Sequence, residues 1–204
     1  MKQAFGFIMF FMLCATNVFS QKTAPQVLTD AEWETLFPYL EKEDWGEVDK
    51  ITSGYLKKFT KENENGNEAA IVRYMYLSAV GGQLGDTTID KDQAMKKVKD
   101  LKGKNIITPP RTFRKGGMFN FFSYNEDEKK WSKCFSNRDK TSIYFFEYFD
   151  MADPAAIQED FMVKMEGKAL QLKGKVNEIK AEGYAMPRLR IEYSGVVVWD
   201  VVEE

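Results

Sequence analysis

The sequence predicts an α+β protein: four N-terminal helices paired as two hairpins, then a β-rich domain of about six mostly antiparallel strands with one inserted helix. Up to about residue 103 the apolar residues recur at helical spacing, and beyond Pro109-Pro110 they follow strand periods instead. The third observation is the stretch 141–149, Thr-Ser-Ile-Tyr-Phe-Phe-Glu-Tyr-Phe. Extended, it places Ile143, Phe145, Glu147 and Phe149 on one face and Tyr144, Phe146 and Tyr148 on the other, as expected of a central strand covered on both sides. Glu147 is the one acid among these aromatics.

The chain divides into three expected segments. Residues 1–20 carry Lys2, a short apolar run over 4–13 and small residues before Gln21, the pattern of a cleaved secretory signal peptide. That run is too short to span a bilayer, and no later one is longer, so no membrane span is expected after cleavage. The mature chain is expected in the periplasm or outside the cell. Residues 21–104 form the helical region and 105–204 the β-rich domain.

Thr29 with Glu32 forms a capping box for the first helix, and Trp33, Leu36, Phe37 and Leu40 follow as its buried stripe, with a kink at Pro38. The second helix turns Trp45, Val48, Ile51, Tyr55 and Phe59 inward. The third spans about 68–80 and is expected to end at Gly81-Gly82, and the fourth spans about 91–101 behind Asp90. Tyr39-Leu40 with Asp44-Trp45-Gly46-Glu47-Val48, and Ala70-x3-Tyr74 with Asp92-x-Ala94, resemble tetratricopeptide-type or Sel1-like helical repeats over 29–103. Such arrays bind peptides, so the resemblance implies a protein partner.

Residues 102–115 read as a basic linker, followed by strands at 118–124, 130–136 and 141–149. A helix over 153–167 starts at Asp153-Pro154. Strands then follow at 169–179, 188–193 and 196–202, the last two joined by a hairpin at Ser194-Gly195. Leu172-Lys173-Gly174-Lys175-Val176-Asn177-Glu178-Ile179, within 170–179, is similar to the opening strand of oligonucleotide/oligosaccharide-binding barrels. That similarity implies a small barrel.

Chemistry is constrained mostly by what is missing. The chain has no histidine, which removes Ser-His-Asp and Cys-His catalysis and the commonest zinc ligand sets. No metal site and no cofactor is expected. Without Lys2 the charge is 28 basic against 31 acidic residues, which argues against a nucleic-acid partner. Cys14 leaves with the leader, so Cys134 stands alone as a small half-buried filler. Glu147 and Asp200 are the nameable catalytic candidates, as a carboxylate pair for hydrolysis. Arg188, Arg190, Arg111 and Arg114, near exposed aromatics, are the ligand-binding candidates. The expected function is an exported, non-catalytic binding module with a protein partner. A small-ligand or glycan-binding barrel is the alternative, and a carboxylate hydrolase comes third.

Overall fold

The computed structural model describes residues 26–117 and 119–202, so the predicted signal peptide lies outside the described residues. The protein is α+β. Its helices are α1 (Asp30–Lys42), α2 (Trp45–Leu56), α3 (Asn67–Gly85), α4 (Lys91–Val98) and α5 (Glu159–Met165). Its strands are β1 (Asn105–Ile107), β2 (Arg111–Thr112), β3 (Ser123–Asn125), β4 (Lys130–Ser136), β5 (Ile143–Met151), β6 (Ala169–Glu182) and β7 (Arg188–Val202).

α1 opens with the expected capping box of Thr29 and Glu32 and continues past Pro38 to Lys42. Of its apolar stripe only Leu36 is buried, because α1 lies at the margin of the helical layer and touches chiefly α2. α3 is the opposite case, buried along nearly its whole length. It does not stop at Gly81-Gly82. Those glycines are where neighbours come closest: a Cβ would meet the Phe145 ring at 2.6 Å from Gly81 and the Trp45 ring at 2.3 Å from Gly82. Gly85 stands in the same relation to Tyr144, at 2.6 Å. The missing side chains let α3 press onto α2 and the start of β5, which outweighs the propensity cost of glycine within a helix.

The segment expected to be a linker forms the edge of the sheet instead. β1 and β2 both pair antiparallel with β6 and act as two pieces of one strand broken at Pro109-Pro110, whose missing N–H groups cannot serve a ladder. β3, β4 and β5 form the expected meander, although β3 is shorter than predicted. The chain then crosses through a 3-10 turn and α5 so that β7 lies parallel to β5 and antiparallel to β6.

No hairpin forms at Ser194-Gly195. Gly195 takes φ +60 inside a continuous β7, and the true β6–β7 turn lies at residues 183–187. The sheet curls nearly into a ring in the order β2-β6-β7-β5-β4-β3. A single parallel bridge closes it: Phe122 N donates to Thr112 O at 3.0 Å and Arg114 N donates to Phe122 O at 2.8 Å. Side chains fill the inside, with Phe113 on Trp131 at 4.5 Å and Phe149 stacked on Tyr193 at 5.0 Å between ring centroids.

One core cluster joins this interior to the helices, from Leu36 and Val48 through Leu77 to Phe149 and Ile191. No helix among the described residues is long and apolar enough to cross a membrane.

Gly82→Ala should therefore destabilise the protein by about 2 kcal/mol or more, since the indole of Trp45 cannot retreat within a packed core. Gly54→Ala, on α2 with open space around it, should stabilise by about 0.5 kcal/mol through helix propensity. Urea unfolding of the two variants checks both signs.

Candidate functional site

The two predicted catalytic acids have opposite fates. Glu147 is completely buried, whereas Asp200 is exposed near the end of β7, opposite Gln171. They do not flank a common pocket. Glu147 faces Lys133 directly across the β4–β5 ladder, and Lys133 is also completely buried. Lys133 Nζ lies 2.7 Å from Glu147 Oε2 and donates as well to the Tyr74 hydroxyl of α3. Tyr74 donates onward to Glu147 Oε2 at 3.1 Å, and the Tyr193 hydroxyl of β7 donates to Oε1 at 2.8 Å. The rings of Tyr74, Phe122 and Phe135 stand 5.0, 5.6 and 5.5 Å from the ammonium, adding cation–π attraction.

Burial holds Lys133 below the usual lysine range. It raises the phenols of Tyr74 and Tyr193 well above theirs, with the Glu147 charge adding to the rise. Arg111 is only half-buried as a residue, but the burial of its guanidinium lowers its pKa, and Nη1 donates to Pro110 O at 2.8 Å. Both oxygens of Glu147 are engaged, and Glu147, Lys133, Tyr74 and Tyr193 are all buried. The cluster therefore ties sheet to helix and does not offer a reactive acid.

The other face of β5 is open. Phe146 and Tyr148 are half-buried, so the sequence expectation of cover on both faces holds for one side only. Arg190 of β7 lies over the Tyr148 ring at 3.9 Å and Arg188 over Phe146 at 5.1 Å, since their register puts Phe146 beside Arg190 and Tyr148 beside Glu192. The guanidinium of Arg190 is held by Glu128 at 3.1 Å and Glu192 at 3.2 Å, and Arg188 by Glu182 at 3.3 Å. Next to this row lies an open depression of about 350 Å³, lined by Ser123, Tyr124, Asn125, Ser132, Cys134 and Tyr148 among others.

The β6–β7 turn rises at one end of the same strands, with Tyr184 fully exposed and Met186 67% exposed. Arg188 and Arg190 thus stand side by side over Phe146 and Tyr148. Arg114 lies apart from this row: it is exposed, and its guanidinium stands 4.8 Å from the Phe121 ring. Sequence reasoning passed over Tyr184, in the connection it left between 179 and 188, and it missed Lys133, whose opposition to Glu147 depends on register. Cys134 is buried, and burial pushes its thiol up to about 11. No group of three or more Cys, Asp or Glu among the described residues can hold a metal ion.

No family model, curated protein or solved structure matches the chain.

Lys133→Met alone should cost about 3–5 kcal/mol, because Glu147 would be left buried without its counter-ion; Lys133→Met with Glu147→Leu should cost much less. Thermal unfolding of both variants reads the difference. Alkali should act separately. Cys134 titrates near 11 in the fold against 9.0 as its ordinary value, and Tyr76 and Tyr144 near 12 against 10.0. These raised values mean that the folded state holds more protons, so their stabilisation is complete below about pH 9 and is lost as pH rises toward 12. Urea midpoints should hold between pH 8 and about 9 and fall from there to pH 11, and Cys134 should resist a thiol reagent at pH 8 until the protein unfolds.

Proposed function

We propose that the chain is an exported, non-catalytic binding module whose ligand lies across the outer face of β4, β5 and β7. The observation that carries this reading is the row of half-buried aromatics overlaid by Arg188 and Arg190 beside an open polar depression. A ring filled with its own side chains offers a stiff platform rather than an internal cavity, so recognition falls to its surface. The ionisable groups of the row pair with one another through Glu128, Glu182 and Glu192, so charge is not its main means of attraction. Aromatic edges, hydroxyls and amides remain, which is the chemistry that stacks and hydrogen-bonds an uncharged sugar.

An oligosaccharide is the ligand class this supports best. The similarity of 170–179 to the opening strand of oligonucleotide/oligosaccharide-binding barrels points the same way, and the near-neutral charge favours the sugar over the nucleic acid. The helical repeats resemblance keeps a protein partner as the second class, carried by the helical layer. Export rests on the leader pattern of residues 1–20.

Retention on immobilised oligosaccharides should fall at least about tenfold in Tyr148→Ala with Arg190→Ala, the stacked pair, with the fold intact by circular dichroism. Tyr184→Ala should weaken binding without moving Tm, since that side chain is wholly in solvent. Equal retention by wild type and variants would remove this face from the account. Edman sequencing of protein recovered from outside the cytoplasm should begin at Gln21.

A further inference from the structure

The ladder between β6 and β7 loses step in the middle of both strands. Lys173 pairs with Val197 and Lys175 with Ser194, so Gly174 on one strand stands against Gly195 and Val196 on the other. Gly195 takes φ +60 there, and a Cβ on it would meet nothing within 4 Å. An open hollow of about 300 Å³ lies over this bulge. The two glycines add only backbone to its lining, an arrangement that lets a ligand come close. The side chains around it belong to Asn105 of β1, Lys173 and Lys175 of β6, and Ser194 and Val197 of β7.

The fold leaves the polar groups of this hollow unused. Among the described residues, the Lys175 ammonium, the Asn105 side-chain amide and the Ser194 hydroxyl have no hydrogen bond or ion pair within the protein. Lys173 Nζ donates to Asn67 Oδ1 at 2.9 Å and stands 4.5 Å from the Trp199 ring, but it meets no carboxylate. The other strand lysines that are not fully exposed, Lys130 and Lys133, pair with Glu192 and Glu147. Burial holds Lys173 below the usual lysine range, and an ammonium half-withdrawn from water without a counter-ion is relieved by an incoming anion. The acids of the same two strands do not supply one. Glu178 holds Lys180, Glu192 holds Arg190 and Lys130, Glu182 holds Arg188, and Asp200, opposite Gln171, forms no ion pair among the described residues.

We propose that this hollow binds a carboxylate-bearing sugar, its carboxylate between Lys173 and Lys175 and its ring hydroxyls on Asn105 and Ser194. Two residues apart on one face of β6, the lysines are about 7 Å apart along the strand, close enough for one carboxylate to serve both. Charge alone would admit any anion, and the remaining walls narrow the class. An amide and a hydroxyl can each donate and accept, as ring hydroxyls require. Val197, 43% exposed, supplies an apolar surface for the C–H face of a ring. The volume is at the small end of ligand clefts, which suits one ring rather than a chain. A phosphate group is matched less well, since neither an arginine fork nor the N–H groups of a helix start belong to the lining. The hollow shares no residue with the row of Phe146, Tyr148, Arg188 and Arg190, so this inference stands or falls independently of the sheet-face ligand.

The test titrates the mature chain with glucuronate, glucose and inorganic phosphate and follows backbone amide shifts by NMR. Glucuronate should saturate in the millimolar range and move Gly174, Ser194 and Gly195 most. Glucose, the same ring without the carboxylate, should bind at least about tenfold more weakly, and phosphate at least about fivefold. Lys175→Gln, an exposed position whose side chain has no partner in the fold, should weaken glucuronate at least about fivefold with Tm unchanged. Ser194→Ala should weaken it about threefold. Equal binding of glucose, phosphate as tight as glucuronate, or full affinity in Lys175→Gln each overturns the proposal. So do shifts centred on Phe146 and Tyr148, or no shift at all at millimolar glucuronate.

Discussion

The contact on which this structure depends is the buried ion pair of Lys133 and Glu147, together with the two tyrosines that complete it. Lys133 comes from β4, Glu147 from β5, Tyr193 from β7 and Tyr74 from α3, so three strands and the central helix meet at one pair of charges. An apolar contact tolerates sliding by an ångström or two. A carboxylate with both oxygens engaged does not, because every shift leaves a buried charge without its partner. The pair adds little net stability over a well-packed apolar substitute, but it makes other arrangements of α3 on the ring costly. The glycines of α3 act alongside it: they permit the close approach, and the polar cluster fixes its register.

This arrangement explains how the surface divides. The inner face of β5 is committed to Phe145, Glu147 and Phe149, all completely buried. Its outer face is spared, because the helices cover only the start of the strand, at Tyr144, where Trp45 meets that ring edge-on at 5.4 Å. Phe146 and Tyr148 stay half-open under Arg188 and Arg190, on a strand that the buried cluster holds rigid from behind. A binding face gains from such support, since an ordered surface loses little entropy when a ligand arrives.

The broad division of helices before strands was legible, because periodicity reports which side of an element is buried. The capping box at Thr29 was legible as local chemistry, and so was the cap at Asp153, although it opens a 3-10 turn over Pro154–Ile157 and the α-helix starts only at Glu159. What escaped was whatever depended on distant neighbours. Gly81, Gly82 and Gly85 read as a stop, and only Trp45, Phe145 and Tyr144 show why they continue a helix. At Gly174 a Cβ would meet Val196 at 2.7 Å, where the register of β6 shifts against β7. Ser194-Gly195 read as a turn, yet a single positive φ bends β7 without reversing it. Glu147 was singled out as an acid in the wrong place, but its partner was hidden, since Lys133 on an alternating strand resembles any solvent-facing lysine. Asp200 was grouped with Glu147 on the same pattern, but it is exposed near the end of β7.

The central claim is that Lys133 and Tyr74 are energetically coupled across the boundary between sheet and helix. A double-mutant cycle with Lys133→Met and Tyr74→Phe, read by urea unfolding, measures that coupling directly. The account predicts an interaction energy above about 1 kcal/mol, with circular dichroism and tryptophan fluorescence reporting one common transition in the wild type. Additivity to within about 0.5 kcal/mol, or a helical signal lost well before the fluorescence change, would contradict it.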